Sequence, residues 1–341
     1  MRSFGSDNYS GVHPKVMQAL NAANVDHAPA YGDDAWTERA EALFKKEFGD
    51  DIEVLPVFGG TGANVVGLSA LVSLCHGILC TSVSHLWEHE CGAPEAFTGC
   101  RLIPVESPNG KLTVDLIRAR LGGVGDQHEV QPKVVSITQS NELGLVYTFE
   151  EIQEIARFAR SRGLYLHMDG ARIANAAVRL NRGLRECTRD LGVDVLSFGG
   201  TKNGLMFGEA VLFFRKEIAE NARYLRKRAA QLPSKMRYVS AQMEALLTGG
   251  LWRENATRAN RMALLLAGRI AHVSGVEIAY PVETNMVYVR LSPSVFEFLS
   301  EHASFYVEDQ AARLVRWVTS FDTTEGDIED FVKLAEKAGQ A

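Results

Sequence analysis

The chain has 341 residues, 46% of them hydrophobic and 23% charged, a composition and length that allow a large buried core without disulfide or metal staples. Its 36 basic and 42 acidic residues give a net charge of −6, which removes the electrostatic footprint of a nucleic-acid binder. The start, Met1 to Asp7, has no apolar run suited to a signal peptide, and the most apolar stretch, 65–80, is broken by Ser69, Ser73 and His76 and too short to span a bilayer, so a soluble, cytoplasmic protein is expected.

Short β-rich runs alternate with helical patterns over the first two-thirds of the chain. Residues 54–58 read as a strand leading into Gly59-Gly60-Thr61-Gly62-Ala63-Asn64, and a helical pattern continues to about Leu74. Further strands are expected at 78–83, 101–105, 134–138, 165–168, 195–198 and 211–214. Residues 149–162 form the clearest helix, with Ile152, Ile155, Ala156 and Ala159 on one face and Glu150, Glu151 and Glu154 near its start. Strands separated by helices imply a mostly parallel sheet covered on both faces, whose ligands lie at the carboxyl ends of the strands. After about residue 245 the rhythm changes to a long helix at 252–271, strands at 276–279, 286–291 and 314–321, a helix near 294–301 and a final helix from about Glu325. The expected architecture is α/β: a large domain over 1–245, including an N-terminal segment 1–30, and a smaller α+β domain over 246–341.

The five cysteines, at 75, 80, 91, 100 and 187, are odd in number and show no Cys-x-x-Cys or paired Cys/His spacing, so reduced thiols and no metal site are expected. Three other segments carry chemistry. Gly59 to Asn64 joins a strand to a helix start, where glycine lets an anion approach exposed N–H groups. Val65 breaks the dinucleotide register and no Gly-Lys-Ser/Thr follows, so a small phosphate ester fits, as does a plain tight turn. Asp169 ends the apolar run Tyr165 to Met168, three residues before Arg172; an acid there either meets a ligand or caps the next helix. Lys202 leaves the strand 195–198 between glycines, and a lysine shielded from water near other cations is a competent amine for imine chemistry. A phosphate cradle, an acid and a lysine at successive strand ends are what pyridoxal 5′-phosphate requires.

The segments Ser6 to Gly11, Tyr31 to Asp34, Gly60-Thr61, His85, His167 to Arg172, Thr201 to Gly204, Thr284 to Met286 and Arg316 to Asp322, in that order, resemble the fold type I pyridoxal-phosphate enzymes. The specific resemblance is to the low-specificity L-threonine aldolase group of the aromatic and β-eliminating lyase superfamily. It implies a Schiff base to the cofactor on Lys202, Asp169 beside the pyridine nitrogen, His85 stacked on the ring, Gly60, Thr61 and Gly62 around the phosphate, and Arg172 among the cofactor contacts. Ser6, Arg172 and Arg316 would then hold the carboxylate of an amino-acid substrate, with Tyr31 reaching in from a neighbouring subunit of a homotetramer with shared sites. Lys227, near where relatives place a second lysine, is explained equally by a solvated helix face; His89 and Arg313 are decoys.

One departure stands out. Many relatives carry a histidine in a Thr-His-Asn segment where this chain has Ser140, and His128 lies in a polar loop too early to replace it. The base for the substrate hydroxyl is left between His85 and a bound water. Cleavage of L-threonine and L-allo-threonine to glycine and an aldehyde is the expected reaction. A phenylserine preference, β-elimination or transamination on the same cofactor, a nicotinamide enzyme and a non-catalytic cofactor binder are the alternatives.

Overall fold

Seven strands form the large sheet of the computed structural model, which describes residues 2–340. They are β1 (Glu53–Val57), β2 (His76–Thr81), β3 (Arg101–Val105), β4 (Gln131–Thr138), β5 (Tyr165–Gly170), β6 (Val195–Gly199) and β7 (Glu209–Phe213), in the order β1-β7-β6-β5-β4-β2-β3. The five from β3 to β6 are parallel, joined by the crossovers that parallel pairing demands. The connection from β6 to β7 is short, so β7 returns antiparallel to β6 and also to β1.

Alternating side chains supply both faces of this sheet. Ile137, Met168 and Phe198 point to one side with Phe44 and Phe48; Val134, Val195 and Val211 point to the other, against Val66 and Leu68 of the helix Gly60–Ser69. Phe198 lies edge-on to Phe44 at 5.2 Å and Phe48 at 6.1 Å. Truncating so buried an aromatic to alanine costs about 3–5 kcal/mol. The helix Phe149–Ser161 buries the four residues expected and starts with a capping box between Thr148 and Glu151. The glycine-rich helix ends at Ser69 rather than Leu74, because a turn with hydrogen bonds between Ser73 and His76 feeds the chain into β2.

The C-terminal region builds a second, antiparallel sheet from β8 (Val276–Ile278), β9 (Met286–Leu291), β10 (Tyr306–Asp309) and β11 (Leu314–Val318), in the order β10-β11-β9-β8. Strand β11 stops at Val318 rather than Phe321, since Thr319 and Ser320 turn inward to bond Ala259 and Thr323. Helices Leu251–Ile270, Pro293–His302 and Glu325–Gln340 cover the core around Leu266, Val287, Trp317 and Phe331. Phe4 completes that core, 4.8 Å from Phe331, and its backbone bonds Ser304 and Val318. Among the described residues no helix is long and apolar enough to cross a membrane, and the five cysteines are unpaired, Cys80, Cys100 and Cys187 buried.

Candidate active site

The apolar run of β5 delivers Asp169 to the carboxyl edge of the sheet. His167, two residues earlier, is locked between the hydroxyls of Ser136 on β4 (2.8 Å) and Ser197 on β6 (3.1 Å). Burial pushes its imidazole down to about 4, so it is a neutral cross-strand link. Burial alone would raise Asp169, but hydrogen bonds from Asn64 Nδ2 (2.9 Å) and the Ala171 N–H (2.9 Å), together with the charges of His85 and Lys202, outweigh it and hold the carboxyl below its ordinary value. The site therefore has a buried, ionised acid at its floor.

Lys202 enters from β6 on the single turn Thr201–Asn203. A Cβ on Gly199 would run into the Ala171 backbone, so only glycine lets the ends of β5 and β6 come this close. The Gly200 N–H donates to Glu209 on β7 at 2.5 Å, and burial pushes that carboxyl up to about 7. Asn203 is pinned to Trp252 (3.0 Å) and by Asn255 (2.8 Å). The turn carrying the lysine is thus tied to the large sheet and to the helix Leu251–Ile270.

His85 opens the turn after β2. Its backbone N–H donates to Glu142 Oε1 (2.8 Å), and its Nδ1 meets Glu90 Oε1 at 2.9 Å. The bond to Glu90 is the main reason its imidazole is raised, against burial and the charge of Lys202. Asn64 Nδ2 reaches both Glu90 (2.8 Å) and Asp169 (2.9 Å). Glu142 is half-buried, with Oε2 shut off from solvent and without a partner, and burial pushes its carboxyl up to about 7. His89 is exposed, edge-on to His85 at 5.7 Å, and His128 lies in an exposed turn.

Two arginines form a separate corner. Arg172 gives Nε and Nη2 to Asp7 at 2.8 and 2.9 Å, and Asn285 Nδ2 donates to the same carboxylate at 3.0 Å. Burial would raise Asp7, and Arg172 more than reverses it, so the acid lies below its ordinary value. Ser6 caps the one-turn helix bearing Asp7, its Oγ accepting from the Asn8 N–H at 3.2 Å. Arg316 on β11 sits across from Tyr288 on β9 and Tyr306 on β10, 5.1 Å over the Tyr306 ring, with Nη1 3.3 Å from Glu308 and a buried Nε that has no partner. Tyr288, whose field couples to both arginines, donates to the Glu142 carbonyl at 2.5 Å. Arg313, ahead of β11 at φ 48°, bonds Leu291 instead.

The helix Gly60–Ser69 presents an uncapped first turn at the same sheet edge. Gly59 and Gly60 face open space, whereas the place of a Cβ on Gly62 is taken by the Gln231 side chain, which also accepts from the Phe58 N–H at 3.1 Å. Tyr31 is an exposed residue of this chain's surface at φ 61°, with the Lys227 ammonium 4.7 Å over its ring. Ser140 is buried and only weakly bonded, 3.4 Å from Thr284 Oγ1.

The fold and this constellation define a pyridoxal-phosphate-type lyase scaffold, and the beta-eliminating lyase family model matches residues 3–292. The chain belongs to that family. It is 42% identical to the low specificity L-threonine aldolase of Pseudomonas sp. (strain NCIMB 10558) over 96% of this chain and 95% of that one. It is also 42% identical to the protein of the same name from Pseudomonas aeruginosa, over 98% and 96%. The solved threonine aldolase of Leishmania major superposes with a TM-score of 0.94 at 29% identity, over 99% of this chain and 100% of that one. The expected fold type I architecture and the family resemblance are both borne out.

Asp7, Glu90 and Glu142 escaped sequence reasoning as separate residues, and Asn64 was read only as the end of the glycine motif. Asp7 had a signal, since it follows Ser6 in a quoted motif. Glu90 and Glu142 had none: Glu90 lies five residues after His85 and Glu142 four after Thr138, spacings without a pattern, and their bonds to Asn64 and to the His85 backbone are tertiary.

Proposed function

We propose that the protein binds pyridoxal 5′-phosphate and cleaves L-threonine, L-allo-threonine and related β-hydroxy-α-amino acids to glycine and an aldehyde. The observation that carries this reading is the ionised Asp169, buried at the strand edge within the fields of Lys202 and His85. That is the environment a protonated pyridine nitrogen needs. The open first turn at Gly59 and Gly60 fits a phosphate.

In this reading Lys202 bonds the cofactor, Asp169 pairs with its ring nitrogen, His85 covers its face, and the amides of Gly60, Thr61 and Gly62 hold its phosphate. When bound, the cofactor supplies an electron-poor ring that accepts the pair released as a bond to the α-carbon breaks. Arg172 and Arg316 hold the substrate carboxylate beside Ser6. Because Asp7 occupies one edge of the Arg172 fork, the substrate meets Nη1. Held there, the carboxylate fixes which α-carbon bond faces the ring. Asp169, held ionised, keeps the ring nitrogen protonated and so stabilises developing negative charge.

Exposed Tyr31, with the Lys227 ammonium over its ring, supports a site completed by a neighbouring subunit, and we extend this to a homotetramer in the cytoplasm. We place the boundary between the two domains at residues 245/246. Incubating the cofactor-loaded protein with L-threonine and L-allo-threonine tests the function. Equimolar glycine and acetaldehyde is the expected result; ammonia with 2-oxobutyrate would make the enzyme an eliminating lyase, and activity confined to phenylserine would move the substrate class.

A further inference from the structure

His85 is 40% exposed in its side chain, while the Glu90 carboxylate bonded to its Nδ1 is fully buried. Nε2 has no hydrogen-bond partner among the described residues. Glu90 Oε1 also accepts from Asn64, whose other amide hydrogen goes to Asp169. The four side chains form one line, His85–Glu90–Asn64–Asp169, running from an open ring nitrogen to the acid at the floor of the site. A carboxylate can only accept, so in the neutral ring the proton on the bonded side sits on Nδ1. The opposite nitrogen is left with its lone pair toward the open side.

We propose that Glu90 is a positioning residue of the reaction, which fixes the His85 ring proton on Nδ1 and so presents Nε2 as the acceptor for the proton of the substrate β-hydroxyl. The inference rests on the aldolase reading. The proton passes from the hydroxyl oxygen to Nε2, the O–H pair becomes the second bond of the aldehyde carbonyl, and the Cα–Cβ pair stays with the α-carbon. That carbon takes up one proton and His85 loses one to solvent before the next turnover, so the cycle is neutral. The buried Glu90 stabilises the imidazolium formed on the way, as a carboxylate behind a histidine does in hydrolytic triads. This assigns the base that the chain lacks at Ser140, using groups that are already in place.

The groups facing the ring are Glu90 and Asp169, which favour its charged form, and Lys202, which opposes it. Glu142 holds its backbone and His89 lies edge-on. Removing the charge of Glu90 therefore lowers the proton affinity of His85. Nitrogen-15 NMR of the His85 ring in the holoenzyme reads this without turnover. The wild-type neutral ring is expected as the Nδ1–H tautomer, and Glu90→Gln is expected to move the ring's titration to lower pH. The acid limb of kcat/KM moves with it, and kcat falls about tenfold or more, while KM for the substrate holds. An Nε2–H tautomer in the wild type overturns the proposal even if the variant does not fold. Unchanged titration and kcat in a folded Glu90→Gln protein overturn it as well. Ring behaviour as expected with no aldehyde from any substrate would fault the aldolase reading and, with it, the proton-acceptor role of Nε2.

Discussion

Asp7 and Arg172 are 165 residues apart in sequence and meet through two hydrogen bonds of 2.8 and 2.9 Å. The side chains are 1% and 13% exposed. An arginine named for binding substrate is therefore already half engaged by the chain itself, and its remaining edge is aimed by that engagement. A bidentate grip on Asp7 removes rotamer freedom that a substrate carboxylate would otherwise have to remove.

Replacing Asp7 by Ala leaves Arg172 buried without a counter-charge, which is worth about 3–5 kcal/mol. Denaturant unfolding should show that loss, and KM for the amino acid should rise. Asp7 titrates below its ordinary value in the folded state. Its contribution is present above the unfolded carboxylate range and is lost as pH falls through the lower folded value. Asp7→Asn should accordingly flatten the acid end of a stability-versus-pH curve.

Lys202→Ala is expected to abolish turnover and the imine absorbance of the cofactor. An unchanged rate in this variant would end the cofactor assignment.

For Asp169→Ala, weak cofactor retention is expected, read as the fraction of pyridoxal phosphate left after gel filtration. The variant removes the acceptor for both Asn64 and the Ala171 N–H. Full retention with normal activity would contradict the role given to it.

His167 makes a second pH prediction. The folded imidazole stays neutral down to about 4, against an ordinary 6.5, so between those values only the unfolded chain takes up the proton. Stability should fall on acidification across that window. His167→Gln should lose part of this slope, measured as unfolding free energy at a series of pH values.

Gly199→Ala and Gly59→Ala form a paired test of close approach. The first pushes a methyl into the Ala171 backbone, and the second meets open space. A loss of about 1–3 kcal/mol or failure to fold is expected for Gly199→Ala, and a thermal melt near wild type for Gly59→Ala.

The strands were legible because most of the large sheet is buried on both faces and its runs are rich in apolar residues. Arg101 to Val105 and Met286 to Leu291 fall where their patterns place them. Strand β10 was not legible: its four residues are exposed at a sheet edge, so no burial pattern marks them. The strand-end residues Asp169 and Lys202 could be found from the glycines and apolar runs beside them. Asn64 and Asp7 act through partners far away in sequence, and no local periodicity encodes such a pairing; Glu90 meets His85 only five residues before it, a spacing that marks nothing by itself. Glu142 also has a near contact, with Thr138 at 2.9 Å, yet an acid four residues after a hydroxyl carries no distinguishing pattern.

The backbone of Phe4 bonds Ser304 and Val318, and three residues later Asp7 reaches Arg172 and Asn285. During synthesis these first residues emerge long before their partners. The carboxylate corner therefore stays unassembled until β11 has been made, whatever the large sheet has already achieved. A chain cut short of β11 lacks both Arg316 and the Val318 amide that bonds Phe4, although Asp169 and Lys202 are already in place on the large sheet.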